Sequence, residues 1–269
     1  MSNHSNMVLI TGASSGIGKA IAEHLAELGH KVYGTSRYPG SYPAPTNFEL
    51  ITLDVTDGDS VSSAVEYVLQ KEKCIDILIN NAGMGISGDL EHTSIEKDKE
   101  QVETLFMGSL RMIKKVLPTM RKQDSGMIIN ISSIGGLIGL PYQNMYSAAK
   151  FAIEGLSESL YKELRSTNIK VVLVEPGDFK TNFTARREVD KTSIKSDKFQ
   201  RVIEQIEQDE NNGQNPIMVA KSVAKIINKP NPRLRYVVGA FDQKLAALLK
   251  RILPNRLFDW IIMKHYKVL

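Results

Sequence analysis

Tyr146 and Lys150 stand four positions apart in Tyr146-Ser147-Ala148-Ala149-Lys150, so on a helix they share one face. A phenol has an ordinary pKa near 10 and is mostly protonated at neutral pH; a nearby ammonium favours the phenolate and lowers that value. Such a pair can give a proton to an oxygen atom or take one from it. The small residues between the two would let a ligand come close. Ser133 lies thirteen positions before Tyr146, across a stretch holding Gly135, Gly136 and Gly139 that suits a loop folded back over a pocket. Its hydroxyl could hold the same oxygen. A Tyr-x-x-x-Lys pair by itself is common, so its meaning depends on what positions it.

Short runs rich in Val and Ile occur at 8–11, 31–35, 49–53, 75–80, 127–132, 170–175 and 235–239. Most are apolar at consecutive positions, as strands covered on both faces are. Helical patterns at 17–28, 60–71, 97–122, 145–166 and 216–228 alternate with them. Repeated β-then-α units predict one doubly wound α/β domain over 1–269, with no internal repeat. Ser133 then ends the fifth strand, and Tyr146 and Lys150 open the helix after it. Two segments break the rhythm. Residues 182–215 are polar and charged, which fits a substrate lid or equally a solvated helical insertion. The tail, 240–269, holds two amphipathic pieces split by Pro254. The second, 256–265, is expected to pack on the domain or a partner subunit rather than on a membrane.

Thr11-Gly12-Ala13-Ser14-Ser15-Gly16-Ile17-Gly18 joins the first strand to the first helix. Glycines there allow a tight turn, and a helix N-terminus offers free N–H groups to an anion. The spacing is G-x-x-x-G-x-G rather than the usual dinucleotide G-x-G-x-x-G. A purely structural turn is the plainer alternative. The second strand ends at Ser36 and Arg37. A carboxylate there would suit the ribose 2′-hydroxyl of NAD(H). Serine and a guanidinium instead suit a 2′-phosphate, so NADP(H) is the expected cofactor.

The glycine turn resembles the nucleotide-binding motif of the short-chain dehydrogenase/reductase family, and the likeness runs from Val8 to about Thr181. Asn80-Asn81-Ala82-Gly83 resembles the family's Asn-Asn-Ala-Gly segment, and Asp54-Val55 its adenine-contacting pair. Read alone, Asp54 could simply cap a strand end. The resemblance implies a three-layer Rossmann-type sandwich with a parallel sheet of about seven strands. It also implies cofactor contacts from Gly12, Ser14, Ser15, Gly16, Ile17, Gly18, Ser36, Arg37, Asp54, Val55, Asn81, Ala82 and Gly83. Ser133, Tyr146 and Lys150 become the catalytic group: Tyr146 exchanges the proton as hydride moves, Ser133 places the oxygen, and Lys150 also holds the nicotinamide ribose. Pro176, Gly177 and Phe179 would wall the nicotinamide, and Thr181 would bond its carboxamide. Helices 97–122 and 145–166 commonly make dimer or tetramer contacts in this family, so a homodimer or homotetramer is expected.

One position departs from the pattern. The family usually has an asparagine three residues before a glycine in the long helix, where this chain has Leu105 before Gly108. That asparagine holds a water serving Lys150, and leucine has no hydrogen-bonding group. A cofactor-binding sensor or interaction protein with little turnover is therefore the alternative to an active carbonyl reductase. The stretch from Ser133 to Tyr146 resembles the hydroxysteroid and retinol dehydrogenase branch. Met84, Leu90, Leu137, Leu140, Tyr142, Met145 and Phe183 are the expected substrate pocket, suited to an apolar ketone, aldehyde or alcohol.

The composition excludes other classes. A net charge of +4 on 269 residues, with scattered cations, does not suggest nucleic-acid binding. No cluster with metal-ligand spacing is present, and no metal is expected. The single cysteine, Cys74, cannot form an internal disulfide and reads as a strand-flanking core residue. The first residues show no export signal and no run is long enough to span a membrane, so a cytoplasmic protein is expected.

Overall fold

The computed structural model describes residues 5–269; the reading of the extreme N-terminus as lacking an export signal lies partly outside the described residues. The elements run β1 (Met7–Ile10), α1 (Gly16–Glu27), β2 (Lys31–Ser36), β3 (Glu49–Thr52), α2 (Gly58–Glu72), β4 (Ile77–Asn80), β5 (Ile86–Ser87) and α3 (Ile95–Val102). They continue with α4 (Gly108–Gln123), β6 (Gly126–Ile131), α5 (Asn144–Glu163), β7 (Ile169–Pro176), α6 (Phe183–Arg186), β8 (Glu188–Val189), α7 (Asp197–Asn211), α8 (Ile217–Ile227), β9 (Arg235–Val238), α9 (Phe241–Ile252) and α10 (Asn255–His265). Seven strands form one parallel sheet in the order β3-β2-β1-β4-β6-β7-β9.

Alternation along each strand explains the three layers. Val8 and Ile10 of β1 and Ile77 and Ile79 of β4 face one side, where Ile21 and Leu25 of α1 and Val219 and Val223 of α8 meet them. Leu9 and Leu78 face the other, against Val65 and Val68 of α2, Met112 and Val116 of α4 and Leu160 of α5. Both faces are covered, which is why the strands read as unbroken apolar runs. Each such buried side chain contributes about 2 kcal/mol. The strand order reverses between β1 and β4, and ligands of open α/β sheets bind beyond the strand C-termini at that point.

The predicted helix 97–122 is three pieces. Between α3 and α4 the backbone widens into a π turn, Glu103–Met107, where the Gly108 N–H bonds the Glu103 carbonyl. A Cβ on Gly108 would lie 2.6 Å from Val55 Cγ2, so the glycine lets α4 close onto the chain after β3.

The segment 182–215 is a folded helical insertion. Phe199, Val202, Ile203 and Ile206 of α7 make a small core with Tyr142, Val189, Tyr266 and Val268. The short strand β8 pairs with β5 in parallel. Cys74 sits half-buried ahead of β4, and burial pushes its thiol pKa up.

Candidate active site

The glycine turn is held from beneath. Gly12 and Gly16 have φ of +69° and +58°, which side chains rarely tolerate. The Asn81 amide donates to the Thr11 and Gly12 carbonyls, both at 3.0 Å. Thr11 Oγ1 accepts from the Asn81 and Ala82 N–H groups at 2.9 and 3.0 Å. Gly12, Ser14, Ser15, Gly16 and Ile17 line a cavity of about 450 Å³. Gly18 does not line it, contrary to expectation. A Cβ there would lie 2.3 Å from the Gly12 carbonyl, so its role is close packing under the turn.

The same cavity takes Ser36 and Arg37 after β2, Asp54 and Val55 after β3, and Asn81, Ala82 and Gly83 after β4. Asp54 also performs the plainer duty foreseen for it. Its carboxylate accepts from the Thr56 N–H at 2.9 Å and the Thr56 hydroxyl at 2.7 Å, while Asp57 caps α2. Pro176, Gly177, Phe179 and Thr181 line the wall beyond β7.

Ser133, Tyr146 and Lys150 meet on this cavity. A Cβ on Gly135 would lie 3.0 Å from Tyr146 Cε1 and 3.3 Å from Ser133 Oγ, so glycine admits both side chains. Ser133 Oγ accepts from the Gly135 N–H at 2.9 Å. Lys150 is buried; its ammonium donates to the Ile131 carbonyl at 2.8 Å and lies 5.8 Å from the Tyr146 ring centroid. The electrostatics correct the sequence reading. Burial pushes the Tyr146 pKa up to about 12, against a lowering hydrogen bond with Ser133. Burial also brings Lys150 down to about 8, opposed by the Glu154 charge. Both groups share one dry environment, which disfavours charge on either.

Several lining residues carried no signal in the sequence. Arg186 reaches from α6 to the glycine turn, its guanidinium donating to Ser15 Oγ at 3.2 Å, 5.8 Å from the Tyr42 ring. Asp178, Asp209, Glu210 and Tyr266 line the cavity too. Glu210 pairs with the buried Arg187 and accepts from the Thr184 hydroxyl at 2.6 Å. Asp209 meets His265 at 3.0 Å, tying α7 to the tail. Asp178 accepts from the Gln243 amide at 2.6 Å. Burial first, then the charges of Glu210 and Asp209, raise its pKa to about 7.

The predicted substrate pocket divides. Met84, Leu140 and Phe183 line the cavity, with Phe183 6.0 Å from Tyr146 between ring centroids. Leu90, Tyr142 and Met145 surround a separate small cleft instead. Tyr142, at φ +59°, turns its ring edge-on to Phe199 at 5.1 Å, while Leu90 is 59% exposed. Leu137 lines neither. Leu90, Leu137 and Tyr142 lie on turns and Met145 in the first turn of α5, where local sequence does not encode which cavity a side chain faces.

Leu105 is fully buried on the cavity wall against Gly83, where a Cβ would lie 3.2 Å from Leu105 Cδ2. Its carbonyl accepts from the Ser109 hydroxyl at 3.1 Å. The π turn is present without the asparagine. Among the described residues no group of three or more His, Cys, Asp or Glu could hold a metal ion.

Residues 6–192 match the family described as short chain dehydrogenase. The chain belongs to the short-chain dehydrogenase/reductase family. It is therefore an oxidoreductase. It is 44% identical to a 3-ketodihydrosphingosine reductase of Bacteroides thetaiotaomicron, over 97% of this chain and 98% of that protein. It is 33% identical to retinol dehydrogenase 8 of Bos taurus, over 87% and 82%. A short-chain dehydrogenase from Streptomyces avermitilis matches its structure with a TM-score of 0.81, at 30% identity, covering 100% of this chain and 98% of that one. The seven-stranded parallel sheet is this family's fold, and the match to retinol dehydrogenase 8 agrees with the likeness read from residues 133–146.

Proposed function

We propose that this oxidoreductase uses NADP(H) to reduce the ketone of a long-chain 2-amino ketone of the 3-ketodihydrosphingosine type. The observation that carries the reading is the meeting of Ser133, Tyr146 and Lys150 on a cavity whose far side is the glycine turn. Identity of 44% along nearly the whole chain to a reductase of that substrate supports the substrate class.

The residues fit a dinucleotide. Left-handed Gly12 and Gly16, Ser14 and Ser15 at the start of α1, and Arg186 form a cradle for a pyrophosphate. Arg37 beside Ser36 suits a 2′-phosphate. Lys150 spends one N–H on the Ile131 carbonyl and keeps two for the ribose. When bound, the nicotinamide supplies the hydride.

Tyr146 then donates its hydroxyl proton to the carbonyl oxygen as the carbon becomes tetrahedral. Ser133 donates a hydrogen bond to that oxygen. A phenol whose pKa lies near 12 keeps its proton throughout the neutral range, which suits the reductive direction. Met84, Leu140, Phe183 and Ile206 offer apolar surface for an alkyl chain, and Asp178 a carboxylate for an ammonium. Residues 182–215 act as the substrate lid, latched to the tail through Asp209 and His265. Assembly as a homodimer or homotetramer would use α4 and α5, where Phe151 is exposed. Among the described residues no helix is long and apolar enough to cross a membrane, and a cytoplasmic setting is part of the proposal.

The test follows NADPH absorbance with a long-chain 2-amino ketone and with neutral ketones and aldehydes. Tyr146→Phe should cut kcat about a hundred- to ten-thousandfold while leaving NADPH affinity unchanged. Tight NADPH binding without turnover on the whole panel would overturn the reading and favour a sensor.

A further inference from the structure

The apolar side chains of α9 fall at Phe241, Leu245, Leu248 and Ile252, the spacing of one helical face. Such a face normally packs on a core. Here it does not: Phe241 is 80% exposed, Leu248 52% and Ile252 65%. In α10 Phe258 is buried, yet Leu257, Trp260 and Ile261 are exposed on another side. Half of the exposed large apolar side chains among the described residues lie beyond residue 240. Scattered exposed apolar residues need no explanation, but a contiguous helical face does.

Charge indicates what covers this face. Beyond residue 240 the chain carries six Lys and Arg against two Asp; the remainder carries equal numbers of each sign, so the whole net charge of +4 resides in the tail. Lys250 lies 3.8 Å from Asp259. Among the described residues Lys244, Arg251, Arg256, Lys264 and Lys267 have no carboxylate within ion-pairing distance. Lys244 and Arg251 fall within a quarter turn of the α9 stripe, by helical periodicity. Lys264 shares the exposed α10 face and stands 5.1 Å from the Trp260 ring centroid. An apolar stripe bordered by cations, followed by a helix whose exposed side carries Trp260 and Lys264, is the pattern of helices lying in a lipid headgroup layer. A second copy of the same face would bring like charges together, whereas an anionic lipid surface complements them.

The face is also joined to the cavity. Gln243 of α9 holds Asp178 of the cavity wall, and Tyr266, next after α10, lines the cavity. We propose that α9 and α10 form a docking surface for an anionic lipid bilayer, resting in the headgroup layer without crossing it. This stands on the exposed face and its charge, independent of the substrate assigned above, and it replaces the sequence-based expectation of packing on the domain or a partner subunit.

Trp260 is the only tryptophan in the chain, so its emission reports this face alone. The experiment mixes the full chain with vesicles of phosphatidylcholine, with and without phosphatidylglycerol, and reads co-sedimentation and Trp260 emission. The expected result is sedimentation and a blue shift with the anionic vesicles only, both reduced by salt. Leu248→Glu with Ile252→Glu should abolish both. Lys244→Gln with Arg251→Gln, exposed substitutions that leave the apolar face intact, should weaken partition roughly thirtyfold. Circular dichroism checks that each variant is folded. Absence of binding, equal binding to both vesicle types, or binding unchanged in folded variants would overturn the proposal. So would a concentration-dependent dimer that shifts Trp260 emission without vesicles, since a second copy would then own the face.

Discussion

Glu154 stands one turn beyond Lys150 on α5, and its carboxylate opposes the loss of charge that burial imposes on the Lys150 ammonium. Glu154 is itself held by Arg235 at 3.0 Å, and Arg235 also reaches Glu158 at 3.0 Å and the fully buried Glu175 at 3.5 Å. Lys150 therefore rests on the buried acids Glu154 and Glu175, which Arg235 joins across α5, β7 and β9.

This relationship sets a pH profile. Lys150, brought down to about 8, loses its charge as pH rises through that value. Glu154→Gln removes the opposing carboxylate, so deprotonation should begin lower and the alkaline limb of kcat/KM should move to lower pH. Arg235, Glu175 and the Ser132 hydroxyl also face Glu154, and Glu158 shares Arg235 without facing it, so the measurement includes Glu158→Gln as a control that leaves the limb in place. An unmoved limb in Glu154→Gln would show that Lys150 is not held by Glu154.

Stability should carry a second signature. Burial, then the Glu154 charge, raises the Glu175 pKa to about 8, and neither of its carboxylate oxygens has a hydrogen-bond partner among the described residues. The folded state thus holds this proton more tightly than the unfolded chain does. Stability from this group is greatest below an ordinary carboxylate pKa and falls as pH rises toward about 8. Glu175→Gln should match the parent near pH 5 and gain a few degrees in Tm by about pH 8. Parallel Tm curves across that range would contradict the assignment.

Arg37 should decide the dinucleotide. Arg37→Asp should lower the NADPH-over-NADH affinity ratio about ten- to a hundredfold, the worth of a charge-assisted hydrogen bond. Titration of each cofactor by fluorescence checks it, and an unchanged ratio would return Arg37 to an ordinary surface cation.

Asp178 should distinguish substrates. Asp178→Asn keeps a partner for Gln243 but removes the charge, so KM for a 2-amino ketone should rise about tenfold with a neutral ketone unaffected. Equal loss on both would make Asp178 a structural residue only.

Much of the site was legible along the chain. The turn at Gly12 and Gly16 was legible because a positive φ demands glycine, and the shared face of Tyr146 and Lys150 because helical periodicity puts them there. Gly18 was misread, since a glycine needed for close packing looks the same as one facing a ligand. Tyr142, Met145, Leu90 and Leu137 were misplaced because apolar type does not tell which cavity a residue on a turn or at a helix start faces. Arg186 and Glu210 were missed because they reach the site from a segment with no local signature, and Asp178 because its neighbours Gly177 and Phe179 carried the reading there.

The sequence by itself determined the layered sheet, the glycine turn and the order of Ser133, Tyr146 and Lys150, because these depend on local periodicity and backbone conformation. Only the tertiary structure decided the rest. The expectation that Lys150 would lower the Tyr146 pKa reversed once both were buried together, since desolvation depends on everything packed around a group. The acid cluster beneath Lys150 draws on strands distant in the chain. The outward face of α9, which reads as core by its spacing, is exposed because Gln243 and Ala247 occupy the side that meets the domain.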